Sequence, residues 1–194
     1  MNCIRKIQVD DTIYEANTDF RIAIECNRIA TDENIGDFER VLGILCTVFG
    51  EKGIDIPEHY ERLLKWVKKW LSCGEEIVDT HEKPDMDYIE DEKYIKSSFK
   101  YDYKYNPYDM EYLEWEDFYN DLNNLSNSEF GNCCVLNRIR NLRNYDISKI
   151  KDSKERQKMA KAKESVALKK YKKENHLTKE QEESMERLNK ILGL

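Results

Sequence analysis

The chain has 194 residues, of which 39 are acidic and 32 basic, and its formal net charge is −7 at pH 7. This length suffices for one domain with a buried core, or one domain plus an appendage. Charged residues make up 37% of the chain, and there are only seven Gly and three Pro. The composition favours helices, and because no apolar run reaches about 18 residues, we expect no membrane-spanning segment.

The N-terminal residues predict a β-hairpin. Ile4 to Val9 and Thr12 to Ala16 alternate in hydropathy around two Asp residues, and Asp tolerates the left-handed backbone that a two-residue turn needs. A lone hairpin is marginal in water, so we expect it to lie on the next helix, against Phe20 and Ile24. The hydroxyl of Thr18 is expected to cap that helix.

Two amphipathic helices follow, each with apolar residues at spacings of three and four. The first is expected to be capped by Asp37 and to end at Gly50, and Pro57 is well placed to open the second. Their stripes comprise Phe38, Val41, Leu42, Leu45, Val48 and Phe49, and then Tyr60, Leu63, Leu64, Val67, Trp70 and Leu71. The short link between them predicts an antiparallel pair. Trp66 lies off its stripe and is a candidate for a contact surface.

Three further helices are predicted after a loop over residues 75–86. The first runs from Tyr88 to Tyr103 with Ile95 and Phe99 facing inward, and Asn106-Pro107 forces a break after it. The second carries an apolar face of Trp115, Phe118, Tyr119, Leu122 and Leu125. Ser126 and Glu129 have the spacing of a capping box, which predicts the start of the third, carrying Val135, Ile139 and Leu142.

No pattern typical of an active site, a cofactor site or a metal site occurs. His59, His81 and His176 have no His or Cys at metal-ligand spacing, and we expect them to be surface or loop residues. The six Cys lack a C-x-x-C motif, and no secretory segment is recognised at the N-terminus, so reduced thiols on buried faces are expected. Phosphate-binding and nucleophile-elbow glycine motifs are missing as well. We therefore predict no catalytic residue and no cofactor.

The C-terminal part differs from the rest in charge. Residues 138–156 contain seven basic and three acidic side chains. Residues 138–194 contain 17 basic and 9 acidic residues, a net charge of +8, so residues 1–137 carry −15. This asymmetry predicts an acidic helical body over residues 1–143 and a basic helical arm over residues 144–194. The fold class is thus mainly α: a compact helical body with a small N-terminal β-hairpin and a basic helical C-terminal arm.

The predicted arm has few apolar residues. Between residues 153 and 173 they are Met159, Ala162, Val166 and Tyr171, and a last short amphipathic helix is expected after Thr178. Three interpretations of the arm stay open: docking on the acidic body around Glu111, Glu114, Asp117 and Asp121, binding of an acidic partner, or binding of nucleic acid. Nucleic acid is disfavoured because acids interrupt the basic run and aromatic side chains for base stacking are few.

Several segments resemble a known family in the same order along the chain. They are Thr18-Asp19-Phe20-Arg21, a block from Tyr94-Ile95 through Phe99 to Tyr112-Leu113-Glu114-Trp115, the run YDISKIKD at residues 145–152 before a basic helix, and residues 177–183. Together they resemble a bacteriophage family that is named for gene product fifteen and regarded as tail-assembly-chaperone-like. The resemblance is patchy but spans most of the chain.

The resemblance implies a non-enzymatic factor that binds the tape measure protein of a long-tailed phage and helps the tail-tube subunit polymerise around it. The tail-tube protein and self-association are further candidate contacts. The factor would act in the host cytoplasm and be absent from the mature virion. Alternatives are a structural tail or connector component retained in the virion, and a nucleic-acid-binding regulator.

The residues that we expect to contact a partner combine the basic run with the sparse apolar stripe. They are Arg140, Arg143, Tyr145, Lys149, Lys151, Arg156, Met159, Val166 and Tyr171. Charge would guide orientation and capture rate, and the apolar residues would cover an exposed helical stripe of the partner. The motif around Asp146 and Ser148 has a second interpretation as a structural turn, because both residue types suit a cap.

Overall fold

A computed structural model of the chain describes residues 5–75, 83–127 and 133–169. These ranges contain one β-hairpin and seven α-helices, which confirms the predicted mainly α fold. The chain divides into two compact units, residues 1–144 and 145–194. We refer to residues 1–144 as the body and to residues 145–194 as the arm; Tyr171 and the predicted last helix lie outside the described residues.

The predicted hairpin is present. Strands β1 (Arg5–Val9) and β2 (Thr12–Ala16) pair antiparallel, and Asp10 at the turn has a φ of 51°, in the left-handed region. Alternation along β2 buries Tyr14 completely and leaves Ile13 52% exposed. Because only one face of the hairpin is buried, a slip by one residue would expose the apolar side chains, and this fixes the pairing register.

A polar cluster holds the hairpin turn. The carboxylate of Asp10 accepts hydrogen bonds of 2.7 and 2.8 Å from the guanidinium of Arg62, which lower the pKa of Asp10. His59 contacts both β2 and the turn. Its Nδ1 is 2.8 Å from the hydroxyl of Tyr14 and its Nε2 is 3.3 Å from Asp10. The expectation that His59 is a surface or loop residue is therefore wrong, because these contacts bury it to 7% exposure.

Helix α1 spans Phe20–Thr31 and is capped by Asp19, not by Thr18 as predicted. Asp19 Oδ1 accepts a 2.9 Å hydrogen bond from the backbone N–H of Arg21. The hydroxyl of Thr18 is fully buried and donates instead to Glu114 Oε2 at 2.7 Å. Both residue types are good caps, so the choice is made by Glu114, which is distant in sequence.

The start of α1 pairs with a distant segment. The backbone N–H of Phe20 donates to Leu113 O at 2.9 Å, and that of Trp115 donates to Thr18 O at 3.0 Å, which forms an isolated antiparallel bridge. Residues 18–20 and 113–115 belong to two of the segments that carry the family resemblance. Their pairing gives these segments a shared structural role.

Helix α2 spans Asp37–Phe49 and ends at Gly50, as predicted, where φ is 67°. Asp37 is not its cap: Gly36 occupies that position and makes no side-chain hydrogen bond. Phe38 was predicted on the buried stripe but is 64% exposed. The first three residues of α2 are all exposed, so the N-terminal end of the predicted apolar stripe lies outside the core.

Helix α3 spans Tyr60–Leu71 and follows a 3₁₀ turn opened by Pro57, as predicted. It packs on α2. Its buried residues fall on the predicted stripe and are Leu63, Val67 and Trp70. Trp66 is half-buried, with its ring centroid 5.8 Å from that of Phe49.

Three further helices belong to the body: α4 (Glu92–Asp102), α5 (Trp115–Asn123) and α6 (Val135–Asn144). Phe118 lies at the centre of the aromatic core. Its ring centroid is 4.4 Å from that of Phe20, 5.4 Å from that of Phe99 and 5.8 Å from that of Trp115. The inward positions predicted for Ile95 and Phe99 are confirmed, since neither is exposed.

The prediction that Ser126 caps α6 is wrong. The backbone N–H and the hydroxyl of Ser126 donate to the carboxylate of Asp102 at 2.7 and 2.9 Å. Helix α6 begins only at Val135, and Glu129 lies outside the described residues. Ser126 therefore joins the end of α4 to the segment before α6.

The five cysteines within the described residues are free thiols. Burial raises the pKa of Cys26 to about 12 and the pKa of Cys73 to about 11. Thiolates are the reactive form, so these two positions are chemically quiet at neutral pH. Cys46 is exposed.

Candidate partner-binding surface

The two arginines predicted to contact a partner at the end of α6 are engaged within the body. Arg143 Nη1 and Nη2 donate to the carboxylate of Asp91 at 2.6 and 2.8 Å, and Nη1 also donates to Asp85 O at 2.8 Å. Arg140 Nε donates to Asp85 Oδ1 at 3.1 Å. The side chain of Asn144 adds a 2.9 Å hydrogen bond to the same carboxylate. The C-terminal end of α6 is thereby fixed to the segment before α4.

The Arg143–Asp91 pair is buried. The Arg143 side chain is 10% exposed and the Asp91 side chain 1% exposed. Burial acts to lower the pKa of Arg143, but the hydrogen bonds and charge of Asp91 outweigh it, and the net pKa is raised. A bidentate, desolvated pair fixes geometry strongly. Arg143 thus has a positioning role inside the body, whereas Arg140, in a pair that is about a third exposed, remains accessible in part.

The motif that follows forms a turn in the arm, as the second interpretation proposed. Asp146 caps a short 3₁₀ turn, Ile147–Lys149, and accepts hydrogen bonds from the backbone N–H and the hydroxyl of Ser148 at 3.0 and 2.7 Å. These bonds lower the pKa of Asp146. Tyr145 is 42% exposed, and its carbonyl accepts a 2.8 Å hydrogen bond from Lys163 Nζ. Lys149 is exposed as well, as are Asp146 and Ser148.

Helix α7 spans Ser153–Ser165 and is capped by Asp152, whose side chain accepts a 2.8 Å hydrogen bond from the backbone N–H of Glu155. None of its residues is buried. The helix carries five cationic and two acidic side chains. Because no residue of α7 is buried and most of its side chains are polar, the helix offers a surface to another molecule.

One side of α7 forms a cationic ridge, which we define as Lys154, Lys158 and Lys161. All three are exposed and lie at spacings of four and three, so they share one face of the helix. Within the described part of the chain, none of them forms a salt bridge, and the same is true of the predicted contact residues Lys151 and Arg156.

The predicted apolar stripe lies on a side of α7 adjacent to the ridge. Met159 and Ala162 are half-buried, and so is Val166 directly after the helix. Helical spacing puts these three residues together, within about a third of a turn of Lys158. The stripe is thus partly covered, while the cations are fully open to solvent. Tyr171, the remaining predicted contact residue, lies outside the described residues.

The cationic ridge was missed from the sequence, although a signal for it exists. Lys154, Lys158 and Lys161 follow the same spacing that identifies apolar stripes. Apolar periodicity and total charge do not reveal the ridge, whereas the periodicity of the charges does. Applying the helical period to lysines alone would have found the ridge.

Other classes of site are not found in the described ranges. No group of three or more His, Cys, Asp or Glu side chains there could hold a metal ion. None of the described helices has the length and apolar character needed to cross a bilayer.

Comparison with known proteins shows the family of the chain. A family model described as bacteriophage Gp15 protein matches residues 2–168, which include the hairpin, all of the helices described above and the turn before α7. The chain matches no curated protein and no solved structure.

Proposed function

Since the chain belongs to the bacteriophage Gp15 family and is thus a phage structural or assembly protein, we propose that it is a tail assembly chaperone that holds the tape measure protein through α7. The single observation that carries this proposal is the cationic ridge. Lys154, Lys158 and Lys161 are exposed, share one face and have no salt bridge among the described residues. Such a face suits a long helical polypeptide with acidic side chains.

Electrostatics explains how the ridge would act. The body carries a net negative charge and the arm a net positive charge, so the arm supplies the long-range attraction for an acidic helix. Complementary charge raises the capture rate and sets orientation more than it raises affinity. Lys151 and Arg156 extend the positive field beyond the ridge, since both are exposed. The tail-tube protein is a second possible client of the same surface.

A long amphipathic helix aggregates unless its apolar stripe is covered. The half-buried side chains Met159 and Val166 would contribute apolar contact once the partner is held. In this mechanism no bond is made or broken. The proposed role of the chain is to keep the client soluble until the tail tube encloses it.

The proposal is tested by co-expressing the tape measure protein of the same phage with three forms of the chain. The native form is expected to keep the client soluble and to co-purify with it. The triple variant K154E/K158E/K161E is expected to lose at least about tenfold of the co-purified client. The control K6E/K93E/K100E makes the same change in net charge at three exposed lysines of the body and is expected to behave like the native form.

Equal loss in both triple variants would mean that net charge alone matters, and no loss in either would overturn the role of α7. The composition of the particle separates the remaining alternative. A chaperone that acts in the host cytoplasm is expected to be missing from purified virions by quantitative mass spectrometry. Stoichiometric amounts would identify a retained structural component instead.

A further inference from the structure

A cleft of about 320 Å³ lies on the body, well away in sequence from α7. Its walls come from β1, from α3 and the turn after it, and from α5. The lining residues are Arg5, Trp66, Lys69, Trp70, Cys73, Gly74 and Glu116. This volume lies at the lower end of the range for ligand pockets, roughly 300–1,000 Å³, and suits one large side chain with its neighbouring backbone.

Two tryptophans form the apolar wall of this cleft. The rings of Trp66 and Trp70 stack at a centroid distance of 6.0 Å and an interplanar angle of 14°. Trp66 is half-buried, and Phe49 supports it from α2. The wall is therefore held by core contacts and presents a preformed aromatic surface, the kind of residue that dominates binding at interface centres.

The polar groups of the cleft favour an anionic acceptor. Trp70 is 5% exposed, and its buried indole nitrogen has no hydrogen-bond partner among the described residues. A buried N–H without an acceptor is unfavourable, and Trp70 lines the cleft, so an acceptor oxygen that reached this nitrogen would be stabilised. Arg5 already pairs with Glu114 and Glu116 at 3.1 and 3.4 Å, so it is partly neutralised.

The exposed side of α3 adds unpaired positive charge. Within an acidic body, α3 carries Arg62, Lys65, Lys68 and Lys69 against a single acid, Glu61. The three lysines are exposed and form no salt bridge in the described ranges. Lys65 and Lys69 lie one turn apart, and like charges at that spacing disfavour the helix. An acidic partner would remove this repulsion.

From this combination we infer that the α3 cleft binds an acidic segment of a partner polypeptide, with one aromatic side chain against Trp66 and Trp70 and a carboxylate near Lys69. Nucleic acid fits less well, although aromatic and basic side chains also occur in its binding sites. Arg5 is paired with Glu114 and Glu116, so Lys69 is the cleft-lining cation that has no salt bridge among the described residues. One such cation suits a single carboxylate better than a run of phosphates. The inference concerns the body and does not depend on the role of α7.

The three indole N–H signals of the ¹⁵N-labelled full chain provide the test. The probe is the acetylated, amidated peptide Asp-Glu-Phe-Glu-Asp, compared with Lys-Lys-Phe-Lys-Lys and with a ten-residue oligothymidine. The acidic peptide is expected to shift the Trp66 and Trp70 signals. Trp115 serves as internal reference, because it is 1% exposed and its Nε1 already donates to Leu71 O at 3.0 Å. Trp66→Phe and Trp70→Phe variants together assign the three signals.

Charge reversal then locates the contact. Lys69→Glu is expected to weaken binding of the acidic peptide by at least about fivefold. The matched control Lys100→Glu changes an exposed lysine of α4 that does not line the cleft and is expected to change binding by less than about twofold.

The inference is overturned if the acidic peptide shifts neither signal at millimolar concentration, if the basic peptide shifts them equally, or if oligothymidine binds more tightly. The K154E/K158E/K161E variant should bind the acidic peptide like the native chain. Loss of peptide binding in that variant would also overturn the cleft assignment, because α7 would then be the binding surface.

Discussion

The end of α6 and helix α7 contain the same kinds of basic residue, and the structure uses them in opposite ways. Arg143 is buried against Asp91 and fixes two segments of the body together. Lys154, Lys158 and Lys161 of α7 are exposed and form no salt bridge among the described residues. Positive charge in the first region serves folding, and in the second it is free for recognition. A basic run in a sequence can therefore contain two functions that meet at a unit boundary, here after Asn144.

The largest effect is expected from breaking the buried pair. Arg143→Ala leaves the carboxylate of Asp91 buried without its cation, which is expected to lower the free energy of unfolding by about 3–5 kcal/mol. Urea unfolding followed by tryptophan fluorescence measures it, since all three tryptophans lie in the body. The double variant Asp91→Leu with Arg143→Met should recover most of the loss. If Arg143→Ala is neutral, the distinction between the two regions fails.

A smaller effect is expected at the bridge between α1 and α5. Thr18→Val removes the buried hydroxyl that contacts Glu114 and is expected to cost about 1–3 kcal/mol in unfolding free energy. Thr31→Val is the control, because its exposed hydroxyl bonds only carbonyls of its own helix. Equal effects at the two positions would show that the body gains nothing from this buried polar contact.

Arg140 is intermediate in burial between Arg143 and the exposed lysines of α7, so it tests whether the effect on stability follows burial. Its pair with Asp85 is about a third exposed, so Arg140→Ala is expected to cost only about 0.2–1 kcal/mol. Arg138→Ala serves as control, since Arg138 is exposed on the same helix. A loss as large as that of Arg143→Ala would mean that the whole end of α6 acts as one buried network.

The smallest effect on stability is expected in the arm. K154E/K158E/K161E should leave the unfolding free energy of the body within about 0.5 kcal/mol of the native value, while it removes client binding. Calorimetry or urea unfolding of the variant without client measures this. A large loss of stability would show that the cationic ridge is a structural element, contrary to its proposed use.

Local patterns predicted much of this fold, and long-range contacts decided the rest. The hairpin, α2 and α3 follow from alternation and helical spacing, because one face of each must be buried. Thr18 and Asp19 are equally good caps locally, and only Glu114 decides between them. The burial of His59 likewise depends on Asp10 and Tyr14, which lie far along the chain.

The same limit applies to the candidate surface. The charge asymmetry predicted a basic arm, but sequence alone could not separate Arg143 from the lysines of α7, because its partner Asp91 is 52 residues away. The ridge itself needed no long-range information. It follows from helical geometry applied to Lys154, Lys158 and Lys161.

The pairing of residues 18–20 with 113–115 has a consequence for biosynthesis. Thr18 and Glu114 are 96 residues apart, and closing so long a loop comes late, after local helices have formed. Until the ribosome has translated residues 113–115, Thr18 lacks its acceptor Glu114 and Asp19 lacks the backbone N–H donor of Leu113. A nascent or prematurely terminated product that stops before Leu113 is therefore expected to remain open at α1 and to be a ready substrate for host proteases.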